Sequence, residues 1–189
     1  MNPVLLHSLF YLGLALILGL NAIYHDQLYI YSLTYIKWQQ DNGNQFFHYY
    51  FLFWNYMGNG MLYYILIGFT YAFGSRARSL YHLLILGVLL FMMGIGKNMY
   101  AEPRPFWSDA DIDSPECTLG FGNPSGHNMF SFGATLGVFL DLFHYSNWES
   151  PVASWRKNSG YYASSLSFVI ITAISIGYGR IYEGAHSID

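Results

Sequence analysis

Asn123-Pro124-Ser125-Gly126-His127 is where this chain concentrates residues able to do chemistry. It joins a polar segment holding five carboxylates, Glu102, Asp109, Asp111, Asp113 and Glu116, to an uncharged run from Asn128 to Leu140. Asn123 suits a helix N-cap, and Pro124 suits the first helical position, where its missing N–H would have had no partner. The following N–H groups, on Ser125, Gly126 and His127, then lack intrahelical acceptors and can face an anion. Gly126 lets that anion approach the backbone, and His127 brings a proton donor beside it. Two more short segments, each at the end of an apolar run, add cations and a second histidine: Lys97 to Arg104-Pro105, and Arg180 to His186. Arginine offers an oxyanion a bidentate fork and lysine a point charge, so Lys97, Arg104 and Arg180 together can surround one. The chemistry within reach is oxyanion binding coupled to proton transfer.

The elements that must position these residues are apolar. With 53% hydrophobic and 10% charged residues, the chain reads as an all-α, polytopic membrane protein. A net charge of −3 without a basic tract gives no reason to expect nucleic acid. Cys117 is the single cysteine, which excludes an intrachain disulfide. Pro3 to Tyr24 carries no formal charge and is long enough to cross ~30 Å of hydrocarbon. It lacks a basic flank and is expected to be an anchor, not a cleaved signal. Residues 25–56 mix aromatic rings with polar groups, which favours the headgroup level, and Asp41-Asn42-Gly43-Asn44 is a turn signal within them. Further spans are expected at about Tyr56 to Phe73, Leu80 to Gly96, the run after His127 to Phe143, and Tyr161 to Tyr178, with Arg180 just outside the last. Five spans put the three motif segments on one side and Arg76, Arg78, Arg156 and Lys157 on the other. By the positive-inside rule the motifs then face the cell exterior, the periplasm or a lumen.

In their order and spacing, Lys97-x6-Arg104-Pro105, Pro124-Ser125-Gly126-His127 and Arg180-x5-His186 resemble the three signature blocks of the type 2 phosphatidic acid phosphatase superfamily. The resemblance covers the C-terminal half; the first half matches by hydropathy alone. It implies a membrane phosphatase that hydrolyses a lipid phosphomonoester or lipid pyrophosphate, with membrane lipids around it and neither metal nor cofactor. It further implies that His186 is the nucleophile, forming a phosphohistidine, that His127 protonates the leaving oxygen, and that Lys97, Arg104, Ser125, Gly126 and Arg180 hold the phosphate. Two positions depart from the pattern. Gly179 stands where the family usually has serine, removing a hydroxyl beside Arg180. Asp189 lies three residues after His186, not four; both spacings share a helix face, so either Asp189 or a residue beyond it is the expected partner orienting His186. The family also implies a sixth span. Residues 1–189 are therefore expected to form one membrane-embedded domain, incomplete at its C-terminus.

Asp109-x-Asp111-x-Asp113 lacks the later Gly and Glu of a calcium loop, so these acids are expected to be solvated surface. Lys37 and Trp38 are expected to meet an incoming lipid phosphate. Two other functions share the motif pattern. A vanadium haloperoxidase resembles it in all three blocks, but those enzymes are soluble and five apolar spans argue against one. A non-catalytic lipid-binding or transport protein on the same scaffold is the other; it has no need of all of Lys97, Arg104, Ser125, His127, Arg180 and His186.

Overall fold

The computed structural model describes residues 3–114, 119–145 and 159–188. Cys117, Arg156, Lys157 and Asp189 lie outside the described residues. Among those described, all regular secondary structure is helical: α1 (Pro3–Asp41), α2 (Gln45–Met57), α3 (Gly60–Phe73), α4 (Arg76–Tyr100), the single turn α5 (Pro105–Ser108), α6 (Gly126–Leu140) continued by a π-helical turn (Asp141–Tyr145), and α7 (Ser159–Tyr182).

Local sequence sets most of the boundaries. Asn44 and Asn59 cap α2 and α3 by accepting from the N–H groups of Phe46 and Met61, each at 2.9 Å. Ser75 caps α4 in the same way. The turn expected at residues 41–44 is present. One difference is that the first expected span and the first part of the aromatic stretch, residues 25–41, form one helix, which runs unbroken to Asp41. No glycine or proline interrupts residues 20–41, so the backbone has no local reason to stop.

Among the described residues, two stretches are long and apolar enough to cross a membrane, Arg76–Ser108 (α4 with α5) and Ser159–Tyr182 (α7); Gly60–Phe73 is a shorter apolar helix. α6 packs against α7 and α4, α2 against α7, α3 against α4, and α1 against α7. The core is thin: Ile36, Phe51, Leu86, Phe130, Phe139, Val169 and Ile176 are buried, together with the small hydroxylated residues Ser32, Ser79, Ser131, Thr172 and Ser175. Small and hydroxylated residues at helix contacts, with Ile65, Phe69, Leu84, Phe91 and Ile174 turned outward, are what a bundle shows when its surroundings are as apolar as its side chains.

α1 also acts as a strap along the motif loops. The Lys37 ammonium lies 2.5 Å from Asp109 and 3.1 Å from Asp111. Gln40 exchanges hydrogen bonds with the backbone of Asp113 at 2.6 and 3.1 Å. The Tyr29 hydroxyl meets Ser108 Oγ at 2.6 Å and the Pro103 carbonyl at 3.3 Å. The acidic loop is thus fastened to α1, and Lys37 holds the Asp109 carboxyl below the usual carboxylate range. Asp111 and Asp113 remain exposed surface, as expected, while the loop is also tied to α1. Lys37, expected to meet an incoming phosphate, is paired with these carboxylates, and exposed Trp38 stacks on Tyr35, at 6.0 Å between ring centroids.

Candidate active site

The three motif segments meet at one end of the bundle, where α4 ends, α6 begins and α7 ends. A cavity of about 510 Å³ opens there, lined among others by Asn123, Pro124, Ser125, Arg180 and His186. A larger, mainly apolar cavity of about 680 Å³ lies at the far end of α6, beside Arg78, His82 and Asp141. It holds none of the motif residues. Asp141 sits there 3.6 Å from both Arg78 and His82, a partner for His82 that sequence spacing does not reveal.

α6 starts two residues later than expected. Ser125 is the N-cap, its hydroxyl accepting from the Asn128 N–H at 3.4 Å, and Gly126 is the first helical residue. Asn123 and Pro124 precede the cap, joined by a cis peptide bond. Asn123 and Ser125 are equally good capping types, since either side-chain oxygen can accept an orphan N–H, and here Ser125 takes the role. The positive end of α6 still opens on the cavity, as an anion requires. The requirement for glycine at 126 is different from the one expected: a Cβ there would lie 2.8 Å from the Met93 sulfur on α4. Gly126 serves helix packing. Gly96 plays the same part against Pro124, where a Cβ would fall 2.8 Å from the proline ring.

His127 lies against the α2–α3 break. A Cβ on Gly58 would come within 3.3 Å of His127 Cβ and 2.9 Å of Ile176 Cγ2. The break at Gly58–Asn59, which falls inside the span expected at about Tyr56 to Phe73, makes room for a motif histidine.

The cations are held differently from one another. Arg104 is 5% exposed and donates to the carbonyls of Gly120 at 2.6 Å, Ala185 at 2.9 Å and Phe121 at 3.4 Å. One guanidinium thus ties the loop ahead of Ser125 to the residue before His186. Lys97 Nζ also donates to the Phe121 carbonyl. Arg180 is 1% exposed, inside the last turn of α7 and not beyond the span as expected, with Glu183 3.5 Å from it.

His186 is placed by the end of α7. Gly184 takes a left-handed conformation (φ +65°), and the N–H groups of Ala185 and His186 both return to the Arg180 carbonyl, at 3.0 and 3.2 Å. This C-cap explains the five-residue spacing between Arg180 and His186. A Cβ on Gly184 would sit 2.6 Å from Ile112 Cγ2. Gly184→Ala is accordingly expected to cost about 1–2 kcal/mol for the backbone and about 1–3 kcal/mol for overpacking, read as a lowered Tm in detergent. An unchanged Tm would show that α7 ends in another way.

His186 is 7% exposed. Burial pushes its proton affinity well below the ordinary value of 6.5, and Arg180, Arg104, Lys97 and His127 add to the effect in that order. All three cations and His127 are therefore within electrostatic reach of His186. As pH falls through 6.5 the unfolded chain takes up this proton and the folded chain does not. Stability should then decline on acidification from about pH 6.5 at up to ~1.4 kcal/mol per pH unit for this one group. His186→Asn should show a flatter Tm against pH below 6.5; parallel curves for the two proteins would contradict this.

Sequence reasoning did not pick out Glu102. It is 3% exposed, accepts a hydrogen bond from the Ser187 hydroxyl beside His186, and has His25 of α1 3.6 Å away. The Ile188 N–H donates to Ser32 of α1 at 2.9 Å, completing the tether. Its proximity to Arg104 in the first block was the available signal. At Gly179, where serine was expected, a Cβ would point at Asn55 Oδ1 (3.1 Å) and Phe51 (3.4 Å), so a side chain there would project toward α2. Asn55 is buried with neither amide atom hydrogen-bonded. Asp189 lies outside the described residues, so its relation to His186 is not part of this geometry.

No curated protein and no solved structure matches the chain. The family model of the PAP2 superfamily matches residues 78–189, the part that carries all three motif segments and more than half of the sequence. The chain belongs to the PAP2 superfamily, whose enzymes are generally phosphoric ester hydrolases.

Proposed function

We propose that this protein is a multi-pass membrane phosphatase that hydrolyses a lipid phosphomonoester or lipid pyrophosphate through a phosphohistidine. The observation that carries the proposal is the buried His186, which lines one cavity with Ser125 and Arg180 and whose proton affinity is lowered by burial and by Arg180, Arg104, Lys97 and His127. A neutral imidazole has the free lone pair a nucleophile needs, and the surrounding cations match the non-bridging oxygens of a phosphate. In the first step a His186 ring nitrogen bonds to phosphorus, the ester P–O bond breaks, and His127 gives its proton to the leaving oxygen. In the second, a water oxygen bonds to phosphorus, the P–N bond breaks and returns its electron pair to His186, the water proton passes to His127, and inorganic phosphate leaves. Charge on the transferred group is met by the three cations, the Ser125 hydroxyl and the N-terminus of α6, so we include no metal ion in the scheme.

Membrane placement supports the lipid part. Arg76 and Lys97 stand at opposite ends of α4, separated by about 30 Å at 1.5 Å per residue, the thickness of the hydrocarbon layer. If the Arg76 end is cytoplasmic, the site is extracytoplasmic. The test is release of inorganic phosphate from a panel of lipid phosphates and pyrophosphates in detergent, with a chelator present. Turnover of at least one is expected; no release from any would overturn the proposal, and loss on chelation would overturn its metal-free form.

A further inference from the structure

The cavity that holds His186 and Arg180 does not end at the phosphate site. It continues between α6 and α7, lined by Asn128, Met129 and Phe132 on one helix and Ala173 and Gly177 on the other. Phe132 is seven residues from Ser125 and Ala173 seven from Arg180, so this arm runs about 10 Å along both helices at 1.5 Å per residue. Its width comes from small residues: Ala173 and Gly177 are one turn apart on the same face of α7. Its lining changes character along the way. Asn128, whose Oδ1 is buried without a hydrogen-bond partner and whose carboxamide lies against Gly177, is the last polar side chain before Met129, Phe132 and Ala173.

We propose that the substrate's hydrocarbon chain lies in this α6–α7 arm, with Asn128 marking the boundary between polar head and apolar tail. The inference rests on the lipid phosphatase reading and deepens it. It replaces the aromatic stretch around Trp38, which lines no part of the cavity, as the route for the lipid. What commits the occupant is continuity: an apolar channel that shares its opening with a phosphate site fits a molecule carrying both groups at that spacing. Binding energy gathered along the arm, away from the reacting atoms, would position the phosphate against His186.

Two measurements test this. The first is photolabelling of full-length His186→Ala protein in detergent with an alkyl phosphate carrying a diazirine at mid-chain, followed by peptide mapping. Adducts are expected within residues 128–132 or 173–177. Adducts confined to α1 or to the far cavity, or none above a heat-denatured control, would overturn the proposal. The second compares kcat/KM for hexadecyl phosphate and phenyl phosphate in wild type and Ala173→Phe. Filling the arm should cost the hexadecyl ester at least ten times more than the phenyl ester, and equal losses would again overturn it. Labelling needs no turnover. Wild type that labels in the arm yet hydrolyses neither ester would count against the phosphatase reading and leave the tail site standing.

Discussion

His186→Ala is expected to abolish phosphate release together with any acid-labile phosphoenzyme, while His127→Ala leaves a slow reaction. The two histidines share one electrostatic neighbourhood but are held by different structures, His186 by the C-cap of α7 and His127 on the first turn of α6 against Gly58. Only one can attack phosphorus and only one can sit at the leaving oxygen. Without its nucleophile the enzyme has no first step. Without its acid, attack still proceeds against a poorer leaving group, and the deficit should fall in the ~10²–10⁴-fold range typical of general acid–base help. It should shrink for esters whose alcohol leaves easily, such as p-nitrophenyl phosphate. Rapid-quench detection of labelled protein separates the cases. Phosphoprotein accumulating on His186→Ala would remove the nucleophile assignment, and equal defects on good and poor leaving groups would remove the acid.

Arg104→Lys should be nearly as damaging as Arg104→Ala, although it keeps the charge. The guanidinium donates to three carbonyls on two loops, and a lysine ammonium cannot hold that planar fork. A hydrogen bond from a charged donor contributes about 1.5–3 kcal/mol, and a loss of that size in the transition state is about 10–10²-fold in rate. The expected result is that Arg104→Lys retains no more than about a tenth of wild-type kcat/KM, with a lowered Tm, since the loop before Ser125 and the turn before His186 are no longer joined. Near-complete rescue by lysine would mean that Arg104 acts on the phosphate as a point charge and that its carbonyl contacts are incidental.

Much of this site was legible along the chain because its determinants are local. Lys97, Ser125 and Arg180 stand at helix ends, where hydropathy falls and capping residues are readable from types and spacing alone. The turn at residues 41–44 follows from the same rules. So do the three cations and two histidines, whose order along the chain points to phosphate chemistry before any fold is known. Even so, local rules were ambiguous at Asn123-Pro124-Ser125, where two good capping residues compete and the helix chose the second.

What only the tertiary structure decided concerns partners far apart in sequence. Glycine is informative about a close approach but silent about what approaches. Gly126 meets Met93, Gly96 meets Pro124, Gly58 meets His127, and Gly179 meets Asn55, and none of these pairs has a spacing that betrays it. Arg104, expected to hold the phosphate, also joins two loops through its hydrogen bonds, because carbonyls left unpaired by irregular backbone need donors and a buried arginine supplies several. The strap formed by α1, with Lys37, Gln40, Ser32 and Tyr29 each reaching a residue more than 70 positions away, was invisible for the same reason. Residue types announce that a polar group inside an apolar bundle must be satisfied. Which partner satisfies it depends on how the helices pack, and that is settled only when the whole chain is in place.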